Sequence, residues 1–313
     1  PVRINDIEEG SGLPAKVEFG FNNWNNGYHG SYNPDTKTVV YYLTKSNGAA
    51  NAEEGTLTSV SDGTVETTYK HTISFAGVGA VENTNSEKAP HLIAMANNGT
   101  LTIEGGRLTN LYGNAIEAIE DENRAINITN GYLVGNGTST CFDWGGAIHM
   151  DGSGSIHVGE GAVIAGNKSK DLGGGIHADL QKRGTLRITV EEGSVIAGNE
   201  CSGNGGGISI TGAELTIEGG SICSNEAKTD GGGINVNTGT LMLNGGSVTN
   251  NYATSGGGGI HVNGSLNMSG GVIAGNTAGW AGGGLYISQA DSGTISGGII
   301  ASNRARAEGG GIR

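Results

Sequence analysis

Two histidine–aspartate pairs are the residues of this chain whose types and spacing best suit chemistry. His149 with Asp151 forms the first pair and His177 with Asp179 the second, each with one residue between the partners. If both pairs lie on neighbouring β-strands in one register, they form a grid of about 5 by 7 Å. Such a grid can bind a divalent transition metal or move protons in acid–base catalysis. The competing interpretation, which we favour, is a solvated outer sheet face, because the equivalent positions lose both residue types one coil later.

A sequence repeat explains why the two pairs should be neighbours. A Gly-Gly-[Ala/Gly]-[Ile/Leu] tetrad begins at residues 145, 173, 205, 231, 257, 282 and 309. From the second tetrad onward, an apolar-x-x-Asn motif precedes each one, and its Asn lies six residues before the tetrad. Between them lies an alternating piece such as Leu215-Thr-Ile217, which is typical of a strand. Three short strands per repeat, with no helical periodicity, predict an all-β fold, a right-handed parallel β-helix.

The extent of the repeat predicts the domain organisation. Residues 1–75 lack the repeat and are expected to form a β-rich N-terminal cap, since a solenoid needs an atypical terminal unit over its first coil. Residues 76–313 are expected to form the β-helix, with about eight or nine coils. Because the last tetrad, at 309–312, is followed by a single residue, we expect the solenoid to be truncated there and the native chain to continue.

Stacked coils about 4.8 Å apart bring equivalent residues above one another. The Ile of each tetrad and the Leu of each alternating piece are therefore predicted to form inward aliphatic ladders. The repeated Asn is predicted to adopt a left-handed turn conformation and to hydrogen-bond through its amide to the Asn of the coils above and below. The residues of this structural ladder are Asn167, Asn199, Asn225, Asn251, Asn276 and Asn303.

Composition excludes several other classes of protein. The 61 glycines are clustered and only 4 prolines are present, which rules out collagen. The formal net charge of −13, without a basic cluster, argues against nucleic-acid binding. No apolar run approaches the roughly 20 residues of a membrane-spanning helix, so we expect no direct membrane insertion. The 3 cysteines lack metal-ligand spacing and are odd in number, so neither a disulfide framework nor a zinc–cysteine site is indicated.

The paired motifs also carry a family resemblance. Over roughly residues 95–313, Gly-Gly-[Ala/Gly]-Ile and apolar-x-x-Asn resemble the repeats of chlamydial polymorphic outer-membrane proteins and related bacterial adhesin-like β-helix proteins. In that family the Asn motif usually starts with Phe and the tetrad usually reads Gly-Gly-Ala, whereas here Ile or Val replaces Phe and a third Gly is commoner. The resemblance implies a secreted or surface-displayed passenger or stalk, often adhesive, and it carries over no catalytic residue.

One edge of the predicted solenoid varies in chemistry while its length is constant. The five residues between each Asn and the following tetrad differ from coil to coil. Tyr252 and Trp280, with Arg304 and Arg306 one coil beyond, supply the aromatic and arginine mixture common at protein-binding hot spots. We therefore predict a ligand-binding edge at these four residues; the alternative is ordinary turn residues.

These observations favour a non-catalytic bacterial adhesin, secreted or at the cell surface. Its expected partner is a host or neighbour-cell glycan or glycoprotein, immunoglobulins included, and no cofactor or metal is assigned. The alternative is a polysaccharide lyase or glycoside hydrolase that uses His149, Asp151, His177 and Asp179, since such reactions need paired carboxylates. The smooth repeats from residue 205 onward, which lack long cleft-forming loops, weigh against it. A passive structural stalk is the third interpretation.

Overall fold

The computed structural model describes most of the repeat region with its side chains. From residue 100 to residue 313 it describes all residues except 106, 112, 120–122, 139–143, 182–183 and 290–291. Before residue 100 it describes the strand backbones alone. The predicted cap therefore falls largely outside the described residues, and its boundary at residue 75 stays a prediction. Among the described residues no helix has the length and apolarity needed to cross a bilayer.

The chain forms a right-handed parallel β-solenoid of about seven turns. The count of eight or nine coils for residues 76–313 stays a prediction. Each complete coil places one strand in each of four sheets, which we call A, B, C and D in chain order. Within the coils, strands pair with the equivalent strand one coil away, and the antiparallel pairs between sequence neighbours all lie before residue 76. The coil is therefore stabilised by the next coil, as the repeat requires.

Sheet A contains the strands that start at each tetrad Ile or Leu. Nine of its ten strands are parallel and follow chain order, and one further strand from the N-terminal region pairs antiparallel at one edge. In order of pairing they are β2 (Pro14–Glu18), β1 (Val2–Ile7), β8 (His91–Met95), β11 (Asn114–Ala118), β14 (Ile148–Asp151), β18 (Ile176–Asp179), β22 (Ile208–Thr211), β26 (Ile234–Val236), β30 (Ile260–Val262) and β34 (Leu285–Ile287).

Sheet B contains the alternating Leu-x-Ile pieces. Its first four strands are antiparallel to one another, and all the later pairs are parallel. The twelve strands are β3 (His29–Asn33), β4 (Thr38–Leu43), β5 (Gly55–Val60), β6 (Tyr69–Phe75), β9 (Gly99–Glu104), β12 (Arg124–Thr129), β15 (Gly154–Val158), β19 (Leu186–Val190), β23 (Ala213–Ile217), β27 (Gly239–Leu243), β31 (Ser265–Met268) and β35 (Gly293–Ile295).

Sheet C contains the apolar-x-x-Asn motifs and is wholly parallel. From residue 132 onward each strand is short because a residue with positive φ follows it directly before the Asn. The nine strands are β7 (Ala80–Asn83), β10 (Arg107–Asn110), β13 (Tyr132–Val134), β16 (Val163–Ala165), β20 (Val195–Ala197), β24 (Ser221–Cys223), β28 (Ser247–Thr249), β32 (Val272–Ala274) and β36 (Ile299–Ala301).

Sheet D is a fourth sheet that the sequence prediction of three strands per repeat missed. Each strand has two residues, too few to show alternation, and only the second, a small buried residue such as Cys201 or Ala227, repeats. The six strands are β17 (Lys168–Ser169), β21 (Glu200–Cys201), β25 (Glu226–Ala227), β29 (Tyr252–Ala253), β33 (Thr277–Ala278) and β37 (Arg304–Ala305).

The core is a set of aliphatic ladders along the solenoid axis. The predicted tetrad ladder is confirmed, with Ile176, Ile208, Ile234 and Ile260 in register and fully buried. The Leu ladder of sheet B, from Leu215 through Leu266, is likewise inward. Each inward apolar side chain packs against the residue at the same position in the coils above and below, so the coils share one continuous core.

Glycine is required in the tetrads because neighbouring coils touch there. A Cβ added to Gly232 would lie 2.4 Å from the carbonyl oxygens of both Gly258 and Tyr252, closer than real Cβ contacts come. The first Gly of the tetrad has positive φ instead, for example +67° at Gly231. Close backbone approach and left-handed geometry thus account for adjacent glycines in one motif.

The repeated asparagines form a buried amide ladder. The Oδ1 of Asn225 accepts hydrogen bonds from the backbone N–H and the Nδ2 of Asn199, at 3.0 and 2.9 Å. Its own Nδ2 donates to the Oδ1 of Asn251 and to the carbonyl of Ile196, both at 3.0 Å. The same pattern runs from Asn136 to Asn303. All polar atoms of these buried amides are therefore satisfied.

The ladder asparagines do not themselves adopt the left-handed conformation, so that part of the prediction is wrong. The positive φ belongs to the residue directly before each one, such as Gly198 at +61° or Ser224 at +56°. The turn is made by this preceding residue, and the Asn remains free to direct its amide into the ladder.

We expect Asn225→Ala to lower the free energy of unfolding by about 2–4 kcal/mol. The substitution removes four side-chain hydrogen bonds and leaves the buried donors and acceptors of the neighbouring coils without partners. Urea unfolding followed by circular dichroism measures the change. The matched control is Asn244→Ala at an exposed position, expected within about 0.5 kcal/mol of the parent. Equal losses in the two variants would contradict a special role for the ladder.

Candidate functional site

The first outward position of each sheet A strand forms a continuous column, and the structure buries most of it. The expectation of a solvated face is wrong here, since His149 is 5% exposed, His177 3%, Ser209 1% and Asn235 2%. Register places these residues one above another, followed by His261 and Tyr286. We call this set the sheet A column.

The corner before each tetrad covers the column. A Cβ added to Gly205, the first Gly of its tetrad, would lie 2.8 Å from the Cβ of Ser209. The same relation holds between Gly282 and Tyr286, at 2.7 Å. Each left-handed Gly thus folds the chain back over the outward side chain four residues later. The sequence signal for this burial was the positive-φ Gly, which the alternation of the strand alone does not reveal.

The structure brings together three of the four residues predicted as a grid. One ligand atom each from His149, Asp151 and His177 lies within 4.8 Å of the others, and we call these three residues the His–Asp cluster. His149 Nε2 donates to Asp151 Oδ1 at 3.0 Å. The fourth residue, Asp179, pairs in register with Asp151 but stands outside this group.

Two further side chains orient the His–Asp cluster. Gln181 donates from Nε2 to Asp151 Oδ2 at 2.9 Å, and a Glu117 oxygen lies 3.6 Å from His149 Nδ1. Glu117 belongs to the sheet A column one coil earlier and is the register partner of His149. The sequence analysis missed both, because Glu117 lies on a degraded repeat and Gln181 lies beyond the end of its strand.

An indole covers the two imidazoles of the cluster. The ring of Trp144, itself 41% exposed, lies 5.5 Å from that of His149 and 6.3 Å from that of His177, measured between centroids. The two imidazoles are 5.6 Å apart. The Nδ1 of His177 is buried and has no hydrogen-bond partner among the described residues.

Burial and charge drive the two imidazoles in opposite directions. Burial lowers the pKa of His149, but its hydrogen bonds and charge interactions with Asp151 and Glu117 outweigh burial and raise that pKa to about 9. For His177, burial and then the nearby charge of His149 lower the pKa to about 3. Burial and the charge of Asp151 raise the pKa of the Asp179 carboxyl. Near neutral pH the site therefore holds one imidazolium and one neutral imidazole.

A second cluster lies at the other end of the sheet A column. The Arg313 guanidinium lies 5.3 Å from the ring centroid of Trp280 and 5.2 Å from that of Tyr286, and it donates to the Tyr286 hydroxyl at 3.1 Å. Tyr286 stacks on His261 with 5.3 Å between centroids. We call Trp280, Tyr286 and Arg313 the aromatic cluster. The sequence analysis did not predict Arg313 as part of this cluster, because it did not assign Arg313 to the sheet A column.

The structure places the four residues of the predicted ligand-binding edge on sheet D and on the corner that follows it. Tyr252 and Arg304 lie on the outer side of sheet D, two rungs apart, with Thr277 between them. Arg306 is exposed beyond the last of these strands, whereas Trp280 packs on Tyr286 beside sheet A. Whether any of the four binds a ligand stays a prediction. The outer side of sheet D also carries ion pairs such as Lys168–Glu200 at 3.0 Å.

Comparison with known proteins does not assign this chain to a family. A scan against protein-family models found no matching family, and searches of curated proteins and of solved structures found no match. The similarity to adhesin-like repeats thus remains a resemblance carried by the two motifs.

We expect the His149 ring to titrate near pH 9 and the His177 ring near pH 3 in the folded chain, as measured by ¹H–¹⁵N correlation of histidine rings. His149 then contributes stability that is full below pH 6.5 and is lost as the pH rises through about 9. The contribution of His177 has the opposite sign: it is present above pH 6.5 and is lost as the pH falls towards about 3.

The matched variant for this measurement is Asp151→Asn, which keeps the shape of the side chain but removes its charge. It should lower the pKa of His149, because the Nε2 proton loses a charged acceptor. Two rings that titrate together near 6.5 would show that the described hydrogen bonds and burial do not hold in solution.

Proposed function

We propose that this chain is a non-catalytic binding scaffold of the adhesin type, secreted or displayed on a bacterial surface, which recognises a host or neighbour-cell glycan or glycoprotein. The observation that carries the proposal is the contrast between a repeating interior and a non-repeating sheet A column with an exposed indole near each end. Trp144 is 41% and Trp280 43% exposed. Exposed aromatic side chains beside fixed polar groups are common anchors of binding surfaces.

The spacing of the two indoles suits an extended ligand. Backbone pairing leads from Trp144 through Leu172 and on, coil by coil, to Ala281, the neighbour of Trp280. Five rungs of about 4.8 Å separate these corners, or roughly 24 Å along the axis. The scaffold between them is rigid because each coil hydrogen-bonds to the next. A ligand can therefore contact both indoles without a free-energy cost for reorganising the protein.

The outer groups between the indoles are polar and acidic. Asp151, Asp179 and Thr211 occupy the second outward position on successive strands and are only partly buried. Carboxylate and hydroxyl oxygens accept hydrogen bonds from sugar hydroxyls or from peptide N–H groups. The resemblance of the repeats to adhesin-like β-helix proteins points the same way.

A glycan-cleaving enzyme is the second candidate, favoured by the opposite pKa shifts of His149 and His177. Neighbouring titratable groups with separated pKa values are typical of acid–base sites. Both rings are nearly sealed, however, so a sugar would reach Asp151 and Asp179 before either imidazole. That access favours binding over cleavage.

We expect the purified chain to be retained, without cleavage, on an array of host glycans and glycoproteins that includes immunoglobulins. Trp144→Ala and Trp280→Ala should each weaken retention by at least about tenfold, as truncation of an aromatic anchor does. Tyr132→Ala is the matched control, since Tyr132 is 47% exposed but lies on sheet C, and it should leave retention unchanged.

The other outcomes each contradict the proposal in a distinct way. Release of cleaved product that is lost in the double variant Asp151→Asn, Asp179→Asn would identify the enzyme. No retention by any ligand would identify a passive stalk. Retention that depends on Tyr132 but on neither indole would move the binding surface away from sheet A.

A further inference from the structure

The His–Asp cluster has the donor set and geometry of a metal site. Two donors, His149 and Asp151, lie on strand β14, and the third, His177, lies directly above His149 on strand β18. Two imidazoles and one carboxylate form a mixed nitrogen and oxygen set, which suits Zn²⁺ and similar divalent transition metals better than Mg²⁺ or Ca²⁺.

An unpartnered buried nitrogen in the same cluster independently points to a ligand. His177 is 3% exposed, and its Nδ1 makes no hydrogen bond within the described part of the chain. Buried polar atoms are almost always paired, and an orphan in a native structure calls for a partner such as an ion or water. An imidazole held in this state is ready to donate a lone pair.

We infer that His149, Asp151 and His177 bind one divalent transition-metal ion, with Zn²⁺ as the preferred ion. The three protein ligands leave a fourth position for water or for a donor from a bound molecule. This site does not depend on which ligand the outer face of the solenoid recognises.

The surrounding side chains are arranged as a second shell for that ion. The Glu117 carboxylate lies 3.6 Å from His149 Nδ1, where its charge favours a proton on that nitrogen, so that Nε2, which faces Asp151, is the ligand atom. Gln181 holds Asp151 Oδ2, which leaves Oδ1 for the ion. Carboxylate–histidine–metal relays of this kind fix the tautomer and ring orientation in known metal sites.

Binding requires a proton to leave and the cluster to close slightly. A metal takes only the neutral imidazole, so the Nε2 proton of His149 is released when the ion enters. Two ligands of one Zn²⁺ at about 2.1 Å are at most about 4.2 Å apart. The donor atoms here lie within 4.8 Å of one another, so small side-chain rotations bring them into range.

The test is a titration of the full metal-free chain with Zn²⁺ by calorimetry, and with Co²⁺ by visible absorption, which reports coordination directly. We expect one ion per chain and a visible spectrum typical of mixed nitrogen and oxygen coordination. Asp151→Asn and His177→Leu should each weaken Zn²⁺ binding by at least about 100-fold, given that even second-shell changes cost 10–100-fold.

His261→Leu is the matched control, because His261 stands in the same column and bonds instead to Asn235 and Ser288. It should bind Zn²⁺ like the parent. Circular dichroism checks that each variant is folded. If His177→Leu does not fold, the isosteric Asp151→Asn variant still tests the inference. No binding by the folded parent, or binding unchanged in folded Asp151→Asn, would overturn the inference. So would an equal loss in His261→Leu.

Discussion

Hydrogen bonding between equivalent residues of successive coils is the interaction on which this structure depends. A coil of two- to six-residue strands has no internal pairing and cannot bury its own interior. Stacking solves both problems at once, since each backbone group and each inward side chain finds its equivalent one rung away. The asparagine ladder shows the strictest form of this rule: Asn225 has its amide satisfied only because Asn199 and Asn251 stand in register.

The same rule explains how a regular scaffold acquires a local site. Inward positions must stay apolar, because the coils share one core, whereas outward positions need only fit beneath the covering corner. His149 and His177 can therefore replace Ser209 or Asn235 in the sheet A column without disturbing the core. The covering corners then bury these polar groups beside charged neighbours, which is what separates the two histidine pKa values. Chemistry is thus concentrated where a column residue, its register partner and a covering residue such as Trp144 meet.

Much of the fold follows from pattern alone, and the site follows only in part. The spacing of the Asn and Gly motifs was enough to predict the coil, the Ile ladder and the pairing of His149 with His177. Alternation does not reveal that a left-handed Gly folds the corner over the column, so burial of the histidines was not predicted. Two-residue strands such as Glu200–Cys201 are too short to produce an alternating pattern in the sequence. The contact of Trp280 with Tyr286 depends on which way the corner turns, and the length of the corner does not encode that direction.

The amide ladder also gives the solenoid a polarity that its aliphatic ladders lack. From Asn136 onward, each side-chain amide donates to the next coil in chain order, and the last of these bonds reaches Asn303. The bond dipoles are therefore aligned head to tail, as peptide groups are in an α-helix. Bonds in such a chain polarise one another, so a coil in the middle is bound more strongly than an isolated pair would be. The positive end of this aligned array points towards Asn303, so the two ends of the solenoid differ electrostatically even where their side chains are alike.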